Sequence, residues 1–393
     1  MRFGSRAISL LTVAASLLLT AACGSKFDCG GATAGSSGGS SGGTGSKTVC
    51  GGTTGGNTGG GTSNALDYLY LINGTQIDGA EYTGTTIQSI TGFASIALGT
   101  GGGADMTVVN QQFLYVPWVP QGATATVQGY TIDKTSGGLT AIQGAPFALN
   151  TPSGDSIAAD PKGRFLFVGD STNGQISALS INSTTGALTA APGSPFLVNG
   201  ANPTHLVVDG TGTYLYATLS ARNGAVFGYS IDQTTGALTD IPGSPFFLFA
   251  EQLAATPNGK FLIGSGGADI EVISITQGTG VPTAQSTLTP TNAPFQTIIS
   301  PNGNFLYTFS SPIAATQAFA IDGSGNLTEI SGSPFTTLPP IGHAKIDQNG
   351  TAIIGLNQSS QFIVYVVDPT TGALTAPGTA YLGTASPFFA VTN

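Results

Sequence analysis

Beyond its first sixty residues, the chain is built from short apolar runs separated by polar, glycine-marked stretches, with no segment of helical period. One run recurs as Tyr68–Leu71, Phe113–Val116, Phe165–Val168, Tyr214–Ala217, Phe261–Gly264, Phe305–Thr308 and Ala352–Gly355, with starts 45, 52, 49, 47, 44 and 47 residues apart. Each is preceded by an apolar segment and a turn, as in Ala159–Gly163, Ala255–Gly259 and Ser300–Gly303. Pro presets φ in such turns and Gly accepts the positive φ of a tight hairpin. Behind each run comes a segment that alternates with the period of a half-buried strand, such as Gln175–Ile181 or Val226–Ile231. A second hairpin signal, Thr-Gly-Ala-Leu-Thr, follows at 185–189, 235–239 and 371–375, with looser versions at 136–140 and 325–328. Units close on Pro-Phe, at Pro146-Phe147, Pro195-Phe196, Pro245-Phe246, Pro294-Phe295, Pro334-Phe335 and Pro387-Phe388.

Four strands per unit and a period of 40–50 residues are the marks of a β-propeller blade. The pattern predicts an all-β chain: a seven-bladed propeller of four antiparallel strands per blade over 64–393. The first unit lacks an innermost strand, and Phe388–Thr392 has the sequence of one with nothing after it. The C-terminus is therefore expected to pair with Tyr68–Leu71 and leave no open sheet edge.

Composition fits this reading. Hydrophobic residues make up 40% of the chain, charged residues 7%, and there are 59 glycines, a mixture that favours short strands and tight turns over helices. From residue 64 onward, six bases stand against eighteen acids, a net of −12. That charge repels phosphate backbones and anionic membrane surfaces, so no nucleic-acid partner is expected.

The N-terminus reads as an address. Arg2 and Arg6 precede an apolar run, Ala7–Thr20, too short for a comfortable membrane span and laid out like a signal peptide. Leu19–Cys23 resembles a bacterial lipobox, with Leu one position further from the Cys than is common. On this reading 1–22 is removed, Cys23 is acylated, and the protein is anchored at the extracytoplasmic side of the cell envelope. A soluble product cut near Ala22 is the alternative. In 24–63, 16 Gly, 7 Ser and 7 Thr fill 30 of 40 positions, the composition of a flexible linker spanning roughly 35 Å. Cys29 and Cys50 lie in this linker, where a mutual disulfide or two free thiols are both open.

The unit Gly228–Phe246, with its near-copy Ala178–Phe196, resembles the seven-bladed lactonase family. That family is related to the YVTN β-propellers, and Ala390–Asn393 is similar to their namesake tetrapeptide. The resemblance covers roughly 66–393 and implies the propeller fold. It is weak for activity, because the repeated motifs are turn and packing residues.

Loops joining second to third strands, and blade to blade, gather on one face of a propeller, and the innermost strands line its channel. Asp155, His205, Glu251 and His343 fall at or just before innermost strands, and Asp170 and Arg222 follow second strands towards the same mouth. Such groups suit ester opening: an acid or His activates water and an Arg stabilises the oxyanion. The resemblance implies a His, Glu and Arg cluster there, so His205, Arg222 and Glu251 are the candidate catalytic residues. Asp155, Asp170 and His343 are candidate ligand contacts. Structural roles compete with each: capping for the two His, turns for the two Asp, an exposed loop tip for Arg222. Trp118 is expected to pack between blades, and Lys162, Arg164 and Lys260 to be solvated on the far face. Two scattered His and no carboxylate pair give no metal site, and no cofactor motif is present.

The leading expectation is a monomeric, envelope-anchored binding module that takes a small molecule or protein at the mouth. The alternative is a hydrolase opening a neutral lactone, since Arg222 is the one cation expected there and a phosphosugar would want several.

Overall fold

The computed structural model describes residues 67–82, 86–103, 105–199, 202–219, 224–248, 250–310, 315–357, 359, 361–376 and 388–392. The chain divides into Met1–Gly60 and Gly61–Asn393. The first unit, with Cys23, Cys29 and Cys50, lies outside the described residues, and so does Arg222. No described helix is long and apolar enough to cross a membrane.

The second unit consists of seven antiparallel sheets arranged as a seven-bladed propeller. In blade 4, Pro203–Val208, Tyr214–Leu219, Val226–Ile231 and Leu238–Asp240 follow one another from the channel outward. Blades 3, 5, 6 and 7 repeat this order, with inner strands Ser156–Ala159, Gln252–Ala255, Pro294–Ile299 and Gly342–Ile346. The inner strand of blade 2, Thr107–Val109, has a tighter turn in which Asn110 and Gln111 take φ of 52° and 53°. Blade 1 takes its inner strand from the C-terminus: Phe389–Val391 pairs with Leu69–Leu71, as the sequence led us to expect.

The second strands of blades 3 to 7 are buried along their whole length, as in Phe165–Asp170, because each is covered on both faces by neighbouring blades. The buried apolar residues form one cluster between each pair of adjacent blades, including one between blades 7 and 1 that joins Ile354 and Phe362 to Leu69 and Tyr82. Trp118, wholly buried, packs with Tyr70 and Ile72 between blades 1 and 2 and does not line the channel.

The repeated motifs are the locks between blades. In blades 1 to 6 the aromatic that opens the second strand packs on the Gly of the outer hairpin one blade on. A Cβ on Gly186 would meet the Phe113 ring at 2.6 Å, and one on Gly372 would meet Phe305 at 2.4 Å. In blades 1, 2, 4 and 6 a Tyr two residues later reaches the same turn. Tyr115 Oη donates to the Gly186 carbonyl at 2.7 Å, and Tyr216 Oη to that of Gly280 at 2.7 Å. These Gly have φ of 72° and 73°, where an L side chain is strained.

The inner hairpins carry a second device. In blades 4 to 7 a side-chain oxygen on the residue after the inner strand accepts the N–H that opens the second strand, as with Asp209 from Tyr214 at 2.7 Å and Ser300 from Phe305 at 3.0 Å. Thr392 does this for Tyr68 at 2.7 Å, so the C-terminus completes blade 1 in the same way.

Two expectations are corrected. Pro294-Phe295 does not close a unit: it opens the inner strand of blade 6, whereas Phe147 and Phe196 form short outer segments against third strands. Arg164 is not simply solvated. Its Nε meets Asp160 at 2.7 Å, its Nη2 lies 3.0 Å from the other oxygen of that carboxylate, and its guanidinium sits 5.0 Å from the Phe165 ring. Lys162 and Lys260 are exposed, as expected.

Candidate active site

Aligning the inner strands by their pairing registers brings one residue per blade to the same level of the channel, four positions before the residue that opens the inner hairpin. In blades 2 to 5 these are Asp105, Ser156, His205 and Gln252. Blades 6, 7 and 1 supply Gln296, His343 and Phe388. All seven line one cavity of roughly 180 Å³, together with Asp155, Thr204 and Lys345.

The two His reach this level by different backbone paths. The inner strand of blade 4 shifts register between Pro203 and His205, and that of blade 7 bulges between Gly342 and Ala344 with His343 unpaired. Bulges of this kind re-aim side chains. His343 has φ of 44°, an unfavourable conformation for a residue with a Cβ. Its ring meets Phe295 edge-on at 5.3 Å between centroids.

Side chains at this level also join blades. Leu253 N–H of blade 5 donates to His205 Nδ1 of blade 4 at 3.4 Å. In the same relation one pair of blades on, Ala344 N–H of blade 7 donates to Gln296 Oε1 at 2.8 Å, and Gln296 Nε2 donates to the Ala344 carbonyl at 2.9 Å. Gln296 thus anchors the backbone immediately beyond the His343 bulge.

Both imidazoles are held in their neutral form. Enclosure by protein pushes His205 down to about 4; Asp105 opposes this shift and Lys345 adds to it. His343, more exposed, is lowered first by desolvation and then by Lys345, against Asp105. A neutral His205 that accepts at Nδ1 carries its proton on Nε2, which makes it a hydrogen-bond donor to the cavity. His343 keeps an unprotonated nitrogen near neutral pH.

The carboxylates divide into two kinds. Asp105 Oδ1 accepts Met106 N–H at 2.8 Å and faces Lys345 Nζ at 3.5 Å. Asp155 Oδ2 accepts the Ser171 N–H at 2.9 Å and hydroxyl at 2.5 Å. Ser153 Oγ lies 2.7 Å from Asp155 and 2.6 Å from Asp170, bridging the two.

Of the candidates from the sequence, the cavity gathers His205, His343 and Asp155. Asp170 does not line it: only 1% exposed, it accepts the N–H groups of Thr172 and Asn173 and shapes the loop beneath Asp155. Glu251 sits one residue above the ring, exposed and outside the cavity lining. Its backbone N–H donates to Ser265, and its carbonyl accepts the Thr218 hydroxyl. Asp155 and Glu251 therefore share one level and the two His the next, where the sequence reading had put all four together. Sequence reasoning passed over Asp105, Lys345, Gln252 and Gln296. The signal that finds Asp105, Gln252 and Gln296 is the offset of four residues from the inner hairpin; Lys345 stands two residues beyond His343 on the same strand. Among the described residues, no group of three or more His, Cys, Asp or Glu is placed to hold a metal ion.

Fold and cavity define a seven-bladed β-propeller with a polar site at the mouth of its channel. Residues 67–195, blades 1 to 3, match the family Lactonase, 7-bladed beta-propeller, and the family resemblance read from the repeat units stands. The chain is similar in structure to a putative 6-phosphogluconolactonase from Bacteroides uniformis, with a TM-score of 0.66 and 17% identity over 84% of this chain and 100% of that one. It is likewise similar to a periplasmic gluconolactonase of Pseudomonas aeruginosa, with a TM-score of 0.61 and 18% identity over 82% of this chain and 98% of the other. No curated protein matches the sequence. The family match favours the lactonase alternative over the non-catalytic binding module.

Proposed function

We propose that this protein opens a neutral lactone at the channel mouth, with His343 activating water and His205 receiving the developing oxyanion. The observation that carries this reading is the pair of His kept unprotonated and turned onto one polar cavity. Water bound beside His343 gives it a proton as its oxygen attacks the lactone carbonyl carbon. The negative charge that forms on the carbonyl oxygen is met by His205 Nε2–H, a fixed donor in a partly desolvated site. The ring C–O bond then breaks, the leaving oxygen takes the proton from His343, and the product is a hydroxy acid. The strained bulge at His343 supports this assignment, because strain of that kind is kept where surrounding structure holds a functional group in place. The leader and Cys23 support an extracytoplasmic, lipid-anchored address for the reaction, and the linker composition a flexible tether.

The test is to follow acid release from δ-gluconolactone and unsubstituted aliphatic lactones by full-length protein, net of spontaneous hydrolysis. His343→Ala is expected to lower kcat by about 100-fold or more, the usual contribution of a positioned base. No hydrolysis across the panel, or full activity in His343→Ala, overturns the assignment.

A further inference from the structure

We infer that Asp105 is a specificity-determining residue: by pairing with Lys345, it leaves the described lining of the cavity without free positive charge and makes it refuse anionic ligands. This rests on the proposed reading of the channel as a substrate site.

The charges facing the cavity are few. Among the described lining residues, Lys345 is the one Lys or Arg, and Asp105 and Asp155 are the carboxylates. Both imidazoles stay neutral, so they add no positive charge. Asp155 is tied into its loop by Ser153 and Ser171, and its charge is met there by three donors. Lys345 and Asp105 are different: their side chains are 39% and 30% exposed, and they face each other across the channel from blades 7 and 2. An incoming carboxylate or phosphate would find Lys345 already occupied, with Asp105 repelling it at close range. A neutral hydroxylated ring meets no such barrier, and Gln252 offers it an amide. Ion-pair geometry of 3.5 Å is loose, so the pair acts through charge rather than as a rigid brace.

Removing the carboxylate should therefore convert Lys345 into an anion site. The experiment is isothermal titration of full-length protein with 6-phosphogluconate, a sugar acid that cannot be hydrolysed as a lactone. D-gluconamide serves as the uncharged probe. Asp105→Asn and Asp105→Ser are each expected to raise the ratio of anion to amide affinity by about tenfold or more at low salt, a gain that 0.5 M salt suppresses. Asp105→Glu should keep the wild-type ratio, and Asp105→Asn with Lys345→Gln should lose the gain. An unchanged ratio in both neutral variants, an equal gain in Asp105→Glu, or a gain that survives loss of Lys345 overturns the inference. Because the readout is binding of a stable acid, it stands or falls apart from whether any lactone is opened.

Discussion

Gln296 and Ala344 exchange two hydrogen bonds across the gap between blades 6 and 7: Gln296 Nε2 donates to the Ala344 carbonyl at 2.9 Å and Ala344 N–H donates to Gln296 Oε1 at 2.8 Å. A side-chain amide here does the work of a strand partner for a backbone that bulges at its neighbour, His343. Gln296→Leu leaves an N–H and a carbonyl of a fully buried residue unpaired, and should cost about 2–4 kcal/mol. Chemical denaturation measures that loss. If His343 is the base, kcat should fall in Gln296→Leu while KM changes little.

Stability against pH should show two opposing slopes. Desolvation holds His205 at about 4 against an ordinary 6.5, so below pH 6.5 the unfolded chain takes up a proton that the folded one refuses, and stability falls with acid down to about pH 4. Asp67 runs the other way. Burial, with Asp347 beside it, raises its carboxyl from 3.8 to about 6, so the folded chain binds the extra proton and stability rises as pH falls from 6 to 4. The two partly cancel in the wild type. Asp67→Asn should therefore be the more stable protein at pH 7, by about 1–2 kcal/mol after allowing for solvent screening, with the advantage gone near pH 4. His205→Gln should remove the opposite slope. Thermal unfolding of the three proteins between pH 4 and 7 tests both signs.

The propeller was legible from sequence because its signals are covalently local and repeated: an aromatic pair, a Gly turn, a Pro-x-Gly turn. Each does one packing task and recurs at a fixed interval. The site was less legible because it depends on register. Asp105 hides behind a turn, Val109–Phe113, that is one residue shorter than its counterparts and lacks their Gly. Lys345 looks like one more surface base until pairing shows that it faces the channel. Pro294-Phe295 resembles the unit-closing pair by identity, yet belongs to an inner strand, where Phe295 packs on His343. Asp155 and Glu251 lie one residue off the level of the His, and of the two Asp155 lines the cavity.

The locks between blades predict a large effect from a small change. Gly186→Ala would place a Cβ 2.6 Å from the Phe113 ring at a residue with φ of 72°. Both the clash and the left-handed backbone act against it, and a loss of about 2–4 kcal/mol is expected. Gly74→Ala carries the same backbone strain, at φ of 62°, with nothing within 4 Å of the added Cβ. It should cost roughly 1 kcal/mol, and the difference between the two variants isolates the packing contribution.

At the seam, Thr392→Val keeps the side-chain shape and removes the acceptor for the buried Tyr68 N–H, 2.7 Å away. A loss of about 1–3 kcal/mol is expected, and Thr392→Ser should restore most of it. A loss no greater than that of an exposed threonine would show the capping oxygen to be dispensable.

Blade 1 is shared between the two ends of the unit, with Leu69–Leu71 waiting for Phe389–Val391. Six blades hold all their strands within contiguous stretches of sequence; this one cannot be assembled until Phe389–Val391 is present. A chain delivered N-terminus first, from a ribosome or through a membrane pore, therefore emerges as an open arc whose two end faces, Leu69 and Tyr82 on one side and Ile354 and Phe362 on the other, are apolar and uncovered. Loss of the last few residues would leave a folded arc with two exposed ends, inviting capture by a protease or by a second arc.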